Sequence, residues 1–171
     1  IGGPRMDATG AMHSLFPMEK LAVRGYVEVL RHYFEIISIR RKLTAHLLQQ
    51  PPALFIGIDA PDFNLDLEIK LKSAGIPTVH YVSPSIWAWR AGRIHKIKRA
   101  VSRMLTLFPF EAQIYEKAGI PVSYVGHPLA DVLGDFPGRE AAREQLRLPA
   151  DAKVIALLPG SRVSELASMG E

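Results

Sequence analysis

Four short apolar runs, each stopping abruptly at polar or proline-containing sequence and the first three each followed by a helical pattern, constrain this chain more than any other feature. The first is Leu54-Phe55-Ile56, followed by Gly57-Ile58-Asp59-Ala60-Pro61-Asp62-Phe63-Asn64. Leu65 to Ser73 then reads as a helix closed by Gly75. The second run, Pro77-Thr78-Val79-His80-Tyr81-Val82, leads into Ser83-Pro84-Ser85-Ile86-Trp87-Ala88-Trp89-Arg90. Its β-branched and aromatic residues suit a buried parallel strand. The third, Met104 to Phe108, stops at Pro109 and leads to a helix from Phe110 to Ala118, with Gly119 as its stop. The fourth, Pro121 to Val125, runs into Gly126-His127-Pro128. Strands that alternate with helices imply an α/β fold, a parallel sheet with helices on both faces and right-handed crossovers.

Ahead of the first run, Met18 to Gln50 is helical in pattern, with a break at Gly25 and a stop at Pro51-Pro52. Val27, Leu30, Phe34 and Ile37 fall on one face, which Val23, Val29, Tyr33 and Ile36 widen. A face this broad has two uses. It can be buried between the sheet and neighbouring helices, or it can lie on a membrane surface with Arg31, Arg40, Arg41 and Lys42 beside anionic headgroups. Residues 131–150 are polar and read as a connector containing one amphipathic segment, Arg139 to Leu146. Val154 to Leu158 is a fifth strand-like run, followed at once by Pro159-Gly160-Ser161-Arg162. The expected organisation is therefore a domain over 1–130, a connector over 131–150, and the start of a second α/β domain over 151–171. Ile1-Gly2-Gly3-Pro4 begins as if a strand had just ended, and residues 168–171 fall inside a helical pattern. The expectation is a piece of a longer polypeptide.

The net charge of +4 over 171 residues is uneven. Residues 1–130 hold 16 Lys/Arg against 10 Asp/Glu, and residues 131–171 hold 5 against 7. A basic first part suits a phosphate-bearing or anionic-surface partner. The chain has no cysteine, which excludes disulfides, zinc–thiolate sites and a catalytic thiol. No apolar run approaches the ~20 residues that span a bilayer. From Arg90 to Arg103 there are six Lys/Arg and no acid, with Ile94, Ile97 and Val101 at helical spacing. The run has no interleaved aromatic residue and no nucleic-acid motif, so a phosphate or headgroup contact by Arg90 or Arg93 is the more economical functional reading.

In a parallel sheet the loops leaving the carboxyl ends of the strands converge along one edge, where ligands bind. Those loops carry Asp59 and Asp62, Ser83, Ser85 and Arg90, and His127; Ser161 and Arg162 follow the fifth run. Asp59 directly follows an apolar strand, so desolvation could raise its pKa and suit it as a general base. Asp62 reads as a helix cap or a hydrogen-bond orienter. His127 suits a structural hydrogen bond, or else a sugar or phosphate contact. Trp87 and Trp89 point in opposite directions on an extended backbone. Both can be core, or one can line a cleft against a sugar or an acyl chain. Gly160-Ser161-Arg162 before a helix is a plausible anion site, and it is neither a Walker A loop nor a dinucleotide fingerprint.

Taken in order, several words of this sequence resemble one family, the lipid-A-disaccharide synthases of Gram-negative bacteria, which are B-type glycosyltransferases. The words are GGPRM at 2–6, LAVRGYVEVL at 21–30, GIDAPDFN at 57–64 and HYVSPSIWAWR at 80–90. RIHKIKR at 93–99, LFPFE at 107–111, YVGHPLAD at 124–131 and LLPGSRVSEL at 157–166 continue the match. The resemblance implies two Rossmann-like domains facing each other across a cleft, with the acceptor side in the first. It implies inverting transfer of 2,3-diacylglucosamine from its UDP derivative to 2,3-diacylglucosamine 1-phosphate, giving lipid A disaccharide 1-phosphate and UDP. Asp59 would be the base and Arg162 would stabilise diphosphate charge. Asp62, Asn64, Ser83, Ser85, Trp87, Trp89, Arg90, His127 and Ser161 would contact substrate. No metal or other cofactor and no nucleic acid is expected. Val23, Val27 and Leu30 would meet acyl chains or lipid, on a cytoplasmic protein peripheral to the inner face of the inner membrane. The other readings weighed were a different B-type enzyme of envelope synthesis and a non-catalytic membrane- or phosphate-binding α/β module. The family's N-terminal strand and glycine-rich loop would precede residue 1, and most of its nucleotide-sugar domain would follow residue 171.

Overall fold

A computed structural model describes residues 6, 8–10, 14–16, 26–88, 91–134 and 136–158, with side chains of the first helix described from residue 33 onward. The chain divides into two compact units, residues 1–127 and 128–171. Unit one runs α1 (Tyr26–Gln49), β1 (Phe55–Ile58), α2 (Pro61–Ser73), β2 (Thr78–Tyr81), a 3-10 turn (Ala91–Arg93), α3 (Ile94–Ala100), β3 (Arg103–Thr106), α4 (Pro109–Lys117) and β4 (Val122–Tyr124). The four strands are parallel and lie in chain order, β1-β2-β3-β4. All four expected strands form, each within a residue or two of its apolar run.

Helix α2 starts four residues earlier than the sequence pattern suggests, because Pro61 occupies its first turn with φ already suited to a helix. It stops where expected. Gly75 takes φ 85, and Ile76 N–H returns to Leu71 O at 3.0 Å, which satisfies carbonyls the helix would leave unpaired. Helix α2 is shared by two apolar clusters. Its Leu65 packs with Ile97 of α3, Met104 of β3 and Tyr115 of α4, and its Phe63, Leu67 and Leu71 pack with Ile39 and Leu43 of α1. An outer ionic face completes it. Asp66 takes Arg40 Nη1 at 2.8 Å and Lys96 Nζ at 2.6 Å. Burial pushes the Asp66 carboxyl up, but those two cations outweigh it and hold the group below its ordinary value.

Helices were expected on both faces of the sheet. Among the described residues the three connecting helices share one face, since Leu65, Ile97 and Tyr115 meet in a single cluster. The reason is topological: right-handed crossovers that always add the next strand on the same side keep every helix on that side. Gly57, Thr78, His80, Met104 and Thr106 are buried beneath the helices. The opposite face leaves Ile56 and Ile58 about half exposed, and there Arg103 Nη1 donates to Ser123 Oγ at 2.9 Å.

The long first helix also divides its apolar residues. Ile39 and Leu43 are buried against α2, with Ile36 and Leu47 partly so, whereas Phe34 is 82% exposed. The stripe expected to run through Phe34 is therefore not the stripe that packs.

In the second unit, Pro128–Gly134 (α5) and Arg139–Gln145 (α6) are helical, the first of these within what read as loop and connector. Arg143 donates to the carbonyls of Pro149, Ala150 and Ala152, folding the following segment back on α6. Val154 to Leu158 forms no strand, and Ile155, Leu157 and Leu158 are more than 80% exposed. A strand exists only by pairing, and no described residue pairs with this run.

Candidate active site at the carboxyl edge of the sheet

Backbone strain is concentrated where the strands end. Asp59 and Ala60, after β1, take φ 50 and 42, and Val82, after β2, takes φ 79. Left-handed backbone is costly for residues with a Cβ, above all for a β-branched one, and such outliers gather at functional sites. The strain is held by directed bonds. Asn64 Nδ2 donates to Asp59 O at 2.8 Å and to Ile58 O at 3.3 Å. Asp59 N–H continues the sheet to Tyr81 O at 2.9 Å, and Val82 N–H reaches Leu105 O at 3.2 Å. Ala60 caps α2 through its carbonyl, which accepts from Phe63 and Asn64 N–H at 2.9 and 3.0 Å.

These contacts assign different work to neighbouring residues. Asp59 is exposed at the strand end, so the described residues do not supply the desolvation expected from the preceding strand. Asp62 makes no side-chain cap bond; it pairs with Arg93 of the 3-10 turn instead. That pair ties the start of α2 to the turn that follows the Ser83–Trp87 loop, and it occupies the arginine that could have met a phosphate. Asn64, expected to touch substrate, is 9% exposed and has its amide N–H groups committed to the two carbonyls. It acts on the loop that carries Asp59.

The second loop hangs from Ile86, which is 3% exposed in the core. Ser83 Oγ lies 2.8 Å from the Tyr115 hydroxyl, and Ser85 is exposed. Burial pushes the Tyr115 phenol up to about 12; the Ser83 bond lowers it and the Glu111 carboxylate adds to the rise. Trp87 turns outward and meets Phe110 edge-on at 5.4 Å. Phe110 stacks on Phe108 at 5.8 Å, and Phe108 lies 6.1 Å from the His127 ring. Three successive loops thus join in a half-exposed aromatic ladder beside Asp59's edge of the sheet. Stacked and edge-to-face rings of this kind offer a rigid apolar surface for a sugar face or a hydrocarbon chain.

The family model for lipid-A-disaccharide synthetase matches residues 1–171. The chain belongs to the lipid-A-disaccharide synthetase family. It is 61% identical over 171 residues to the lipid-A-disaccharide synthase of Methylobacillus flagellatus, covering all of this chain and 45% of that protein. The corresponding proteins of Azoarcus sp. and Aromatoleum aromaticum are 58% and 60% identical, over 100% and 99% of this chain and 44% and 43% of theirs. The chain thus spans less than half the length of these relatives. Of the family residues expected at the site, Asp59, Asp62, Asn64, Ser83, Ser85, Trp87 and His127 lie in loops at one edge or just inside them. Trp89, Arg90, Ser161, Arg162 and Val23 lie outside the described residues, as do the side chains of Val27 and Leu30. Among the described residues no group of three or more acidic or imidazole side chains stands ready for a metal ion.

In the sequence Tyr115, Phe108 and Phe110 read as helix and strand residues, the two phenylalanines also within the LFPFE word, and none as a site residue. Spacing gives no warning that the Tyr115 hydroxyl reaches Ser83 thirty-two residues away. Because the folded phenol titrates above its ordinary value of 10, its contribution to stability is complete below pH 10 and is lost as pH rises through about 12. Alkaline unfolding followed by circular dichroism should therefore show a stability loss between pH 10 and 12 that Tyr115→Phe removes. An identical profile in the variant would show that the phenol is not responsible.

Proposed function

We propose that the longer polypeptide to which this sequence belongs is an inverting glycosyltransferase of lipid A biosynthesis. It would move 2,3-diacylglucosamine from its UDP derivative to the 6-hydroxyl of 2,3-diacylglucosamine 1-phosphate, releasing UDP. Family membership supports the reading. The observation that carries it is Asp59, an exposed carboxylate in strained backbone at a strand end, clamped there by Asn64. Inversion in one displacement needs one base to take the acceptor's proton as the C–O bond to UDP breaks, and a carboxylate on a rigid loop meets that need. Arg162 would stabilise the charge that develops on the diphosphate. Ser83, Ser85, Trp87, Trp89, Arg90, His127 and Ser161 would line the substrate path, with the Trp87–Phe110–Phe108 ladder against an acyl chain or sugar face.

We further propose that residues 1–130 form the acceptor-side domain, 131–150 connect, and 151 onward begins the nucleotide-sugar domain. The break after His127 is in keeping with this. Among the described residues no helix is long and apolar enough to cross a membrane. Contact with the inner leaflet would instead use the stripe of α1 that does not pack, where Tyr33 and Phe34 are 50% and 82% exposed, together with Val23, Val27 and Leu30.

Asp59→Asn tests the base. Asparagine tolerates left-handed backbone nearly as well as aspartate, so folding should survive. Turnover by the full-length enzyme with the UDP-sugar donor should fall about 10²- to 10⁴-fold; near-normal turnover removes Asp59 from the role. For the membrane face, Val27→Ser, Leu30→Ser and Phe34→Ser combined should leave circular dichroism unchanged while abolishing sedimentation with anionic phospholipid vesicles. Undiminished sedimentation would rule that face out.

A further inference from the structure

Glu68 of α2 and His80 of β2 are both completely buried, and Glu68 Oε1 lies 2.7 Å from His80 Nδ1. The bond crosses a strand. His80 is the register partner of Gly57 on β1, and a Cβ on Gly57 would stand 2.1 Å from Glu68 Oε1. The strand is therefore pared to backbone at the one point where the carboxylate passes from the helix to the neighbouring strand. Glu68 Oε2 and His80 Nε2 have no hydrogen-bond partner among the described residues. A buried ionisable pair of this kind is a poor device for stability, since an apolar pair of similar volume often serves as well or better.

Its placement suggests another use. Asn64 precedes Glu68 by one helical turn, so the two side chains share a face of α2. That face holds the end of β1 through Asn64, at Ile58 O and Asp59 O, and holds β2 through Glu68, at His80. His80 stands two residues before the strained Val82, where the Ser83–Trp87 loop begins. One helix face thus grips both strands immediately beneath the two loops of the site.

We infer that Glu68 and His80 are positioning residues for the transfer reaction: their bond fixes α2 across β1 and β2, and so fixes Asp59 relative to the Ser83 loop. The inference rests on the transferase reading above. Neither side chain touches substrate. A directional bond resists sliding of α2 along the sheet, which apolar packing does not, and a displacement of about 1 Å at a catalytic group can cost on the order of 10²-fold in rate.

The test uses the full-length enzyme with three changes. Glu68→Gln keeps the acceptor oxygen, His80→Asn keeps a donor near the place of Nδ1, and the double variant Glu68→Met/His80→Leu removes the bond at similar volume. The readouts are Tm, kcat and KM, and the hydrogen-exchange rates of the Asp59 and Val82 amides, whose bonds to Tyr81 and Leu105 report the two loops. The double variant should stay folded and keep KM within about twofold. Its kcat should fall about 10- to 100-fold and both amides should exchange faster. The conservative variants should stay within about threefold of wild-type kcat. A folded double variant with unchanged kcat overturns the inference, and so does lost kcat with unchanged exchange at both amides. If the double variant fails to fold, Glu68→Met against Glu68→Gln decides by the same readouts, with equal kcat and exchange as the overturning result. Absence of transfer in the wild type would sink the transferase reading instead, and the exchange rates would still show whether the pair positions the loops.

Discussion

The seating of α2 on β1 is the contact on which the rest of the first unit depends. Gly57 on the strand has no Cβ, and one placed there would stand 2.1 Å from Glu68 Oε1 and 3.3 Å from the Asn64 Cβ, so the strand leaves room for Asn64 to reach its last carbonyls. Around that polar seat the same helix buries Leu65 toward one apolar cluster and Leu67 and Leu71 toward the other, each of the three at 0–1% exposure. Burying an aliphatic side chain of this size contributes about 1.5–3 kcal/mol. The apolar contacts therefore supply the stability that offsets the strained backbone at Asp59, Ala60 and Val82.

This division of labour explains how a short helix can carry both a core and a site. Its flanks are apolar, its sheet side is polar at Asn64 and Glu68, and its solvent side is ionic at Asp62 and Asp66. The ionic side binds Arg40 of α1, and Lys96 and Arg93 of the segment after the second loop. Exposed ion pairs each contribute little, on the order of 0–1 kcal/mol. Their value lies in orientation, since Asp62 and Asp66 anchor the 3-10 turn and α3 to the helix that carries the candidate base. The basic run over 90–103, which suggested an anionic ligand, is thus partly spent on intramolecular contacts: Arg93 and Lys96 on these aspartates, and Lys98 on Ala118 O.

The strands and most helices were legible because proline and glycine punctuate them: Pro61 and Pro109 open helices, and Gly75 and Gly119 close them. The convergence of the loops at one edge followed from parallel pairing alone. What the sequence did not disclose was tertiary in origin. Glu68 sits in the run Asp66-Leu67-Glu68-Ile69-Lys70, where charged and apolar residues alternate and nothing marks one carboxylate for burial. Its burial depends on Gly57 and His80 meeting it from two strands. Asp62 read as a cap because aspartate before an apolar run usually is one, yet Arg93 competes for its carboxylate from thirty-one residues away. Val154 to Leu158 has the composition of a strand and lacks a pairing partner among the described residues. Composition sets the capacity to form a strand, and a neighbour decides it.

The central claim is that the carboxyl edge built on α2 presents Asp59 as the single base of a sugar transfer. A crystal structure of the full-length enzyme with UDP and the monosaccharide 1-phosphate acceptor tests it most directly. The account predicts an Asp59 carboxylate oxygen within about 2.6–3.2 Å of the acceptor's 6-hydroxyl, with Asn64 still bonded to Asp59 O. An acceptor hydroxyl that instead lies beside a different carboxylate, with Asp59 turned to solvent, would contradict it.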